Sequence, residues 1–460
     1  MLFSSIPFLY YFLPLVLAVY FLTPARFRNA VLLLASLIFY AWGEPKYVLL
    51  MLASILSGYG FGLLQERYRG QKGAKLFCGL SVAVSLSFLL YFKYADFFLE
   101  NFNAATGLGV PLLRIALPIG ISFYTFQIIS YTVDVYRGEP AQKNLIHLAA
   151  YVAMFPQLIA GPIVRYSDIA QQLEHRSHST ALAAEGVRRF LIGLGKKILI
   201  ANQLGELCSV FRASDEKSVL FYWLYAVAFA LHIYFDFSGY SDMAIGLGKV
   251  FGFHFLENFN YPYISASITE FWRRWHISLG TWFRDYVYIP LGGSRRGKKR
   301  MIISLLAVWL LTGLWHGITL PFLFWGLYHG VIVLVERFSA KWRMKLPRWG
   351  RIAITDLLAV IGWVFFFSPD LASAFALLGS MFDLTSIDVS LAGWVFANYG
   401  AMLAICLIGC TPLIHRANAA LSARFSWFVW VKPFVYTALM ILCIAFIIGS
   451  SYQSFLYRAF

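Results

Sequence analysis

Residues 301–330 read MIISLLAVWLLTGLWHGITLPFLFWGLYHG, thirty positions without a single Asp, Glu, Lys or Arg. This run is longer than the roughly 20 apolar residues that a helix needs to cross a bilayer, so it predicts membrane-embedded helix. His316 stands inside the run, in the motif LWHG. An ionisable side chain at membrane depth is costly to keep there, and His316 is therefore a candidate functional residue.

The composition extends this prediction to the whole chain. Hydrophobic residues make up 60% of the 460 positions and charged residues only 13%, about half of the ~25% found in soluble domains. We therefore predict an all-α polytopic membrane protein. The net charge of +16 does not indicate nucleic-acid binding, because the basic residues cluster in short loops between apolar runs, as the positive-inside rule produces.

Thirteen apolar runs are candidate helices, and no repeat or soluble domain interrupts them, so residues 1–460 are predicted to form one domain. The N-terminus lacks the basic segment and the small-residue cleavage site of a secretory signal, so we expect its first run to be retained as a span. The runs lie near residues 8–23, 30–42, 47–64, 76–98, 114–135, 188–211, 218–236, 240–255, 301–317, 319–336, 352–368, 393–411 and 432–451.

Two segments differ from plain spans. Phe155–Arg165 (FPQLIAGPIVR) is apolar but broken by two prolines and a glycine, and non-helical backbone at membrane depth requires surrounding protein or a water-filled cavity. Thr269–Ser294 places aromatic residues at helical spacing among several charges. This pattern predicts an interfacial helix, or one buried against other parts of the protein.

His276, in the motif FWRRWHISL, lies forty positions before His316. A neutral imidazole in an apolar site can accept a proton from a hydroxyl group and so act as a general base. Gly313 and Gly317 are expected to leave room for a substrate beside His316. Spacing alone leaves the alternatives open: His316 as a hydrogen-bonded core histidine, and His276 as the polar face of an interfacial helix.

The charged residues near these motifs allow both functional and structural interpretations. Arg273 and Arg274 could bind the phosphates of a cytosolic cofactor, or pair with Glu270 or with lipid headgroups. In YFDFSGYSDMA, two carboxylates flank an expected helix break at a glycine, and we favour structural roles for both. Asp242 or its neighbour Ser241 would cap a helix beginning near Met243, and Asp236 would pair with a buried arginine.

Several other signatures are missing from the sequence. It contains no GxSxG, P-loop, GxGxxG or HExxH motif, and its five cysteines lie in or beside apolar segments without a CxxC spacing. We therefore expect no metal site and no permanently bound cofactor. Asn258–Tyr263 (NFNYPY) is interpreted as a turn with a proline stop, and His329 as a structural residue.

Six motifs together resemble the membrane-bound O-acyltransferase family, in family order and densely from residue 155 to 317. Ile289–Ser294 (IPLGGS) is similar to the bacterial branch that O-acetylates polysaccharides such as alginate, and differs from the branch that D-alanylates teichoic acid. The motifs are Phe155–Arg165, Tyr234–Ala244, Asn258–Tyr263, Phe271–Leu279, Trp282–Gly293 and Leu314–Gly317.

The resemblance implies a horseshoe of roughly 10–13 transmembrane or re-entrant helices around a central tunnel, with residues 155–330 as the motif-dense core. It also implies that His316 is the catalytic residue and that His276 is a second active-site residue. Arg273, Arg274, Trp275 and Trp315 are then the expected contacts of the acyl donor, which is a cytosolic thioester in this family.

From the resemblance we expect an enzyme of the bacterial inner membrane that moves acetyl from acetyl-CoA toward an extracytoplasmic polysaccharide, whether alginate-like, peptidoglycan or cellulose-type. A polysaccharide could hardly enter a tunnel made of spans, so a separate periplasmic acetyltransferase is an expected partner. Three alternatives remain: teichoic-acid D-alanylation, a non-catalytic assembly subunit, and a transporter or flippase with a histidine proton relay. Transporters usually show internal repeats of spans, and this sequence has none.

Overall fold

The computed structural model describes residues 2–159, 161–214, 218–339, 345–385, 387 and 389–449. These residues form helices and connecting segments without a strand, which confirms the predicted all-α class. The α-helices are α1 (Leu13–Leu22), α2 (Arg28–Gly43), α3 (Val48–Arg67), α4 (Lys72–Thr106), α5 (Ile121–Arg137), α6 (Leu145–Ala153), α7 (Phe155–Leu158), α8 (Tyr166–Glu174), α9 (Thr180–Gly195), α10 (Asn202–Ala213), α11 (Val219–Val250), α12 (Ile268–Arg274), α13 (Ile277–Phe283), α14 (Lys298–His316), α15 (Leu320–Phe338), α16 (Arg348–Phe367), α17 (Leu371–Met381), α18 (Ser390–Gly409), α19 (Leu413–Arg424) and α20 (Phe428–Gly449).

Many of these helices are suited to a bilayer. Among the described residues, seven helical segments are long and apolar enough to cross a membrane, and two shorter apolar helices accompany them. Large aliphatic and aromatic side chains remain exposed along them, as lipid-facing surfaces require. The seven segments are Pro45–Arg67, Lys72–Thr106, Val219–Val250, Leu320–Phe338, Arg348–Phe367, Ala392–Gly409 and Phe428–Gly449.

The expected helix break at Gly239 is absent. The predicted runs 218–236 and 240–255 form the single helix α11, and a Cβ atom at Gly239 would lie only 2.9 Å from the carbonyl oxygen of Gly193. The glycine therefore permits close approach of another backbone and does not interrupt the helix. Because Ser241 and Asp242 lie within α11, the prediction that they cap a helix starting near Met243 was wrong.

The segment Thr269–Ser294 is broken where one helix was expected. It forms α12 and α13, which are followed by a π-helical turn at Arg284–Tyr288. The break falls at His276, whose backbone adopts the left-handed conformation with φ of +45°, so the α-helical hydrogen bonds cannot continue. Most of its apolar residues before Arg284 are buried, which agrees with the second of the two expected settings, whereas Ile289 beyond the π-helical turn is exposed.

The proline-broken segment Phe155–Arg165 contains only the four-residue helix α7. Its described apolar residues from Phe155 to Leu158, together with Ile163 and Val164, are buried by surrounding protein, as irregular backbone in a membrane protein requires. Ala160, which belongs to this motif, lies outside the described residues.

The described residues divide into two compact units. One holds the residues up to Phe190 together with Met243–Leu256, and the other holds Leu191–Asp242 and the residues from Glu257 onward. Both candidate histidines and all the predicted donor-binding residues belong to the second unit. The single-domain organisation stays a prediction.

Candidate active site

His316 is the last residue of α14, and its side chain is buried. Its Nδ1 atom lies 2.9 Å from the carbonyl oxygen of Thr312, one helical turn earlier. A carbonyl oxygen can only accept a hydrogen bond, so the Nδ1 atom carries the hydrogen and donates it. The neutral ring therefore keeps its lone pair on Nε2, which is the tautomer that a general base needs.

His276 occupies the junction between α12 and α13 in a strained conformation. A left-handed backbone is uncommon outside glycine, and residues held in sparsely populated conformations cost on the order of 1–3 kcal/mol and cluster at functional sites. Two backbone hydrogen bonds hold the junction on either side, from Asn260 N to Arg274 O at 2.9 Å and from Ile277 N to Asn258 O at 3.0 Å.

Asn258 fixes the His276 ring. Its Oδ1 atom accepts hydrogen bonds from the backbone N–H of Ser278 at 3.3 Å and the Ser278 hydroxyl at 2.9 Å, and it lies 3.1 Å from Nδ1 of His276. Its Nδ2 atom donates to the hydroxyl of Ser241 at 2.9 Å. These partners orient the amide, so Nδ1 of His276 must donate and its Nε2 atom holds the lone pair.

The structure brings the two histidines together. Burial lowers the pKa of His276 well below its ordinary value, and the nearby His316 imidazole lowers it further. Trp315 contacts both rings, with centroids 6.1 Å from His276 and 4.8 Å from His316. Two imidazoles separated by forty positions in the sequence thus share one buried, aromatic environment.

Indole rings form much of this environment. The ring of Trp325 lies 4.9 Å from the His316 ring and 5.2 Å from the His329 ring. Trp272 packs edge-on against both Trp325 and His329, at 5.4 and 4.9 Å. Within the described part of the chain, the buried Nε1 atoms of Trp272 and Trp325 and Nδ1 of His329 make no hydrogen bond. Buried polar atoms without partners are rare in folded proteins, so these three need an explanation.

The space expected beside His316 is filled by protein. A Cβ atom at Gly313 would lie 2.5 Å from the carbonyl oxygen of Phe322, and one at Gly317 would lie 2.4 Å from the ring of Phe322. These glycines therefore let α14 pack closely against α15, and the prediction that they leave room for a substrate was wrong. Small residues commonly allow such close contacts between membrane helices.

Glu336, near the end of α15, anchors α12. Its carboxylate accepts hydrogen bonds from the backbone N–H groups of Ile268 and Thr269 at 2.7 and 2.8 Å, and from the Thr269 hydroxyl at 2.7 Å. A carboxylate satisfies the free N–H groups of a first helical turn and interacts favourably with the helix dipole. Helix α15 thus contacts both α12, which leads to His276, and α14, which ends at His316.

The predicted donor-binding residues have different environments. Arg274 forms an ion pair with Glu270 at 2.9 Å and donates to the carbonyl oxygen of Asn260, which agrees with the structural alternative for this residue. Arg273 is exposed and makes no ion pair in the described part of the chain. Trp275 stacks on Phe271 in the core, and Trp315 is buried beside the histidines. Their roles toward a donor stay predictions.

The two carboxylates of α11 pair with lysines of the π-helical segment Lys196–Ala201. The Asp236 carboxylate is buried against the ammonium group of Lys197, and Asp242 accepts from Lys196 at 2.7 Å. The structural role expected for both is consistent with these pairs, but the partner of Asp236 is a lysine where an arginine was expected. Breaking a fully buried pair leaves an uncompensated charge, so these contacts hold α11 firmly to that segment.

Sequence reasoning missed two residues of this site, Asn258 and Glu336. The motif NFNYPY pointed to the first position, but it was interpreted as a turn. No group of three or more His, Cys, Asp or Glu side chains that could hold a metal ion occurs among the described residues.

Comparison with known proteins bears directly on these motifs. A family model described as MBOAT, membrane-bound O-acyltransferase family, matches residues 37–370. The chain belongs to the membrane-bound O-acyltransferase family. It is therefore an acyltransferase and a multi-pass membrane protein, as the sequence predicted.

Relatives within the O-acyltransferase family carry three different names. The chain is 47% identical to a probable alginate O-acetylase of Pseudomonas syringae pv. tomato, over 85% of this chain and 77% of the relative. It is 34% identical to a peptidoglycan O-acetyltransferase of Helicobacter pylori, over 85% and 81%. A teichoic acid D-alanyltransferase of Bacillus subtilis is 31% identical over 53% of this chain and 65% of the relative.

Proposed function

We propose that this O-acyltransferase takes an acetyl group from a cytosolic thioester, acetyl-CoA, and delivers it for O-acetylation of an extracytoplasmic polysaccharide. The names of the relatives with the broadest coverage, an alginate O-acetylase and a peptidoglycan O-acetyltransferase, support acetyl as the group and a polysaccharide as its destination. The lower coverage by the D-alanyltransferase makes teichoic acid the weaker alternative. A bacterial inner membrane is the location that joins a cytosolic donor to such a polymer.

The tautomer of His316 is the observation that carries the mechanism. With Nδ1 donating to the Thr312 carbonyl, the Nε2 lone pair can remove the proton of an acceptor hydroxyl. The hydroxyl oxygen attacks the thioester carbonyl, the carbon–sulfur bond breaks, and the thiolate takes up the proton held by His316. A transient acyl-enzyme followed by a second transfer would use the same lone pair as a nucleophile.

His276 has an orienting role in this mechanism. Because Nδ1 of His276 donates its hydrogen to Asn258, the neutral His276 ring has an acceptor at Nε2. It therefore has no hydrogen at Nε2 to donate to a carbonyl oxygen. It suits the binding of a hydroxyl or amide N–H group of a substrate. The group that polarises the thioester carbonyl must be a donor, and the buried indole N–H of Trp325, whose ring packs on His316, meets that requirement.

The final acceptor requires a further protein. No carbohydrate-binding domain stands out in the part of the chain that the structure describes, so we propose a separate periplasmic acetyltransferase that passes the acetyl group on to the polymer. Purified chain that acetylates a polysaccharide without any partner would exclude this division of labour.

The first test is the release of CoA from acetyl-CoA by the purified protein in lipid. We expect turnover by the wild type, its loss in His316→Ala, a strong decrease in His276→Ala, and no change in the control His415→Ala, whose side chain is exposed on α19. Each variant must remain monodisperse. Absence of turnover in the wild type with a periplasmic partner and several acyl-CoA lengths would favour the transporter. Full activity in both histidine variants would favour a non-catalytic subunit.

A further inference from the structure

A cluster of basic side chains surrounds the hydroxyl group of Tyr20 in the first unit, whereas both candidate histidines belong to the second unit. Arg176 donates to the Tyr20 oxygen from Nε at 3.0 Å and from Nη2 at 2.8 Å. His178 approaches the same oxygen with Nε2 at 2.9 Å, and Arg28 contacts Nδ1 of His178 through Nη1 at 3.3 Å. We call Arg28, Arg176 and His178 the basic cluster.

The hydrogen-bond directions in the basic cluster follow from its guanidinium groups. Because Arg28 can only donate, Nδ1 of His178 accepts, and Nε2 carries the hydrogen that goes to Tyr20. The Tyr20 hydroxyl in turn donates to the carbonyl oxygen of Phe251 at 3.0 Å. These directions require neutral His178, and they place two permanent positive charges on either side of it.

Among the described residues, no carboxylate lies within ion-pair distance of these two guanidinium groups. In the part of the chain that the structure describes, Arg28 and Arg176 form no ion pair; Arg176 is held by the Asn29 amide oxygen at 2.6 Å and by the ring of Phe253 at 4.5 Å. Burial and the two guanidinium groups together lower the pKa of His178. Elsewhere in the same unit, by contrast, Arg165 pairs with Asp168 and Lys249 with Glu185.

Arg28 also retains donors for a ligand. Its Nε donates to the carbonyl oxygen of Thr23 at 3.3 Å and Nη1 contacts His178, while Nη2 has no hydrogen bond among the described residues. Phosphate groups are well matched to arginine, which binds their oxygens through parallel charge-assisted hydrogen bonds.

The surroundings of the basic cluster favour a lipid as the source of the phosphate. Arg28 begins α2, which residues 23–27 connect to the apolar helix α1, and the exposed Phe21 of α1 contacts both Arg28 and His178. Leu22, beside it, is 86% exposed. An exposed apolar surface continuous with positive charge matches a phospholipid, whose acyl chains and anionic headgroup are joined in the same way.

We propose that Arg28 and Arg176, the first of them oriented by His178, bind the phosphate group of an anionic phospholipid at the membrane surface. Nothing in the acyl-transfer chemistry requires this site, so it can be tested without reference to acetyl-CoA. The ligand would supply the missing negative charge between the end of α1, the start of α2 and the segment that follows α8.

The test measures how phosphatidylglycerol and phosphatidylcholine change the thermal unfolding of the full-length protein in neutral detergent. We expect phosphatidylglycerol to raise the midpoint in the wild type, and Arg28→Gln to weaken its apparent affinity about tenfold, the loss expected for one charge-assisted hydrogen bond. The matched control is Arg26→Gln, which removes the same charge two residues away, from an exposed side chain that lies 4.6 Å from the ring of Phe27. It should bind phosphatidylglycerol like the wild type.

Three results would overturn the proposal. The two lipids could change the unfolding midpoint of the wild type equally, or Arg28→Gln and Arg26→Gln could lose the same affinity for phosphatidylglycerol. Inorganic phosphate could also raise the midpoint as much as phosphatidylglycerol at the same concentration, which would indicate that the ligand is free phosphate. If Arg28→Gln does not fold, His178→Gln and Arg28→Lys replace it. The first should weaken phosphatidylglycerol binding while the second retains most of it. The reverse order would also reject the basic cluster as the site.

Discussion

Oδ1 of Asn258 lies 3.1 Å from Nδ1 of His276, and two hydrogen bonds from Ser278 to the same oxygen leave it no role except that of acceptor. The contact joins residues eighteen positions apart and determines which nitrogen of the histidine carries the hydrogen. Side chains that orient a functional histidine in this way typically affect function almost as strongly as the histidine itself, by about 10–100-fold at metal sites.

Replacing Asn258 with Leu should therefore lower kcat by about 10–100-fold with a smaller change in KM, because His276 loses the acceptor that fixes its tautomer. Acetyl-CoA turnover by the purified variant measures both parameters. Asn398→Leu is the control, since that exposed amide donates to the carbonyl oxygen of Trp394 on its own helix. An Asn258→Leu enzyme with wild-type kcat would show that the tautomer of His276 does not matter.

Replacing Glu336 with Gln should destabilise the protein by about 1–3 kcal/mol, because a buried amide must turn an N–H group toward one of the donors of α12. We expect kcat to fall as well, since α12 positions the His276 junction. Glu185→Gln removes a carboxylate from an exposed ion pair with Lys249 and should cost at most about 1 kcal/mol. Thermal unfolding and turnover of both variants test this difference. Equal stability of the two variants would contradict the anchoring role of Glu336.

Trp325→Phe keeps an aromatic ring beside His316 but removes the indole N–H. If this group stabilises the negative charge on the thioester carbonyl oxygen, kcat should fall about 10²–10³-fold, as it does when an oxyanion donor is lost. In the control Trp223→Phe, the lost N–H donates to the carbonyl oxygen of Met381 and stability alone should change. Similar kcat values for the two variants would remove Trp325 from the mechanism.

Gly326→Ala should separate α14 from α15. The added Cβ atom would lie 2.4 Å from the carbonyl oxygen of Trp309 and 3.2 Å from Cα of Gly313, and overpacking of this kind costs about 1–3 kcal/mol. Because His316 ends α14, turnover should decrease together with the unfolding temperature. Gly400→Ala, on α18, meets no atom within 4 Å and should be neutral or slightly stabilising. Equal behaviour of the two alanine variants would argue against close packing at Gly326.

The features that depend on local composition could be predicted from the sequence. The charge-free run around His316 indicated membrane helix, and its second half, α15, is one of the seven helices that could cross a bilayer. The resemblance of the motifs to one family placed His276 and His316 at one site. Their proximity could not be predicted from the number of residues between them, because a segment of forty residues that turns back on itself does not fix the distance between its ends. The proximity was predicted from the resemblance to a family whose members share one fold.

The errors concern residues whose meaning depends on what lies next to them in space. The sequence shows that Gly313 and Gly239 lack a side chain, but only the structure shows that a neighbouring backbone occupies the space beside each of them. Asn258 and Glu336 carry no periodic signal, since each acts on a segment distant in the chain. Hydrophobic period reveals which face of a helix is buried, and it says nothing of the partner.

Helix α15 holds the first turn of α12 through Glu336 near one end and packs against α14 at Gly326 near the other. The distance between these two contacts along α15 therefore determines how far apart the two imidazoles lie. A helix changes direction by about 100° with each residue. One residue inserted between Gly326 and Glu336 would therefore turn the carboxylate away from α12, and a shift of register by a single position, without any change at either histidine, would dismantle the site.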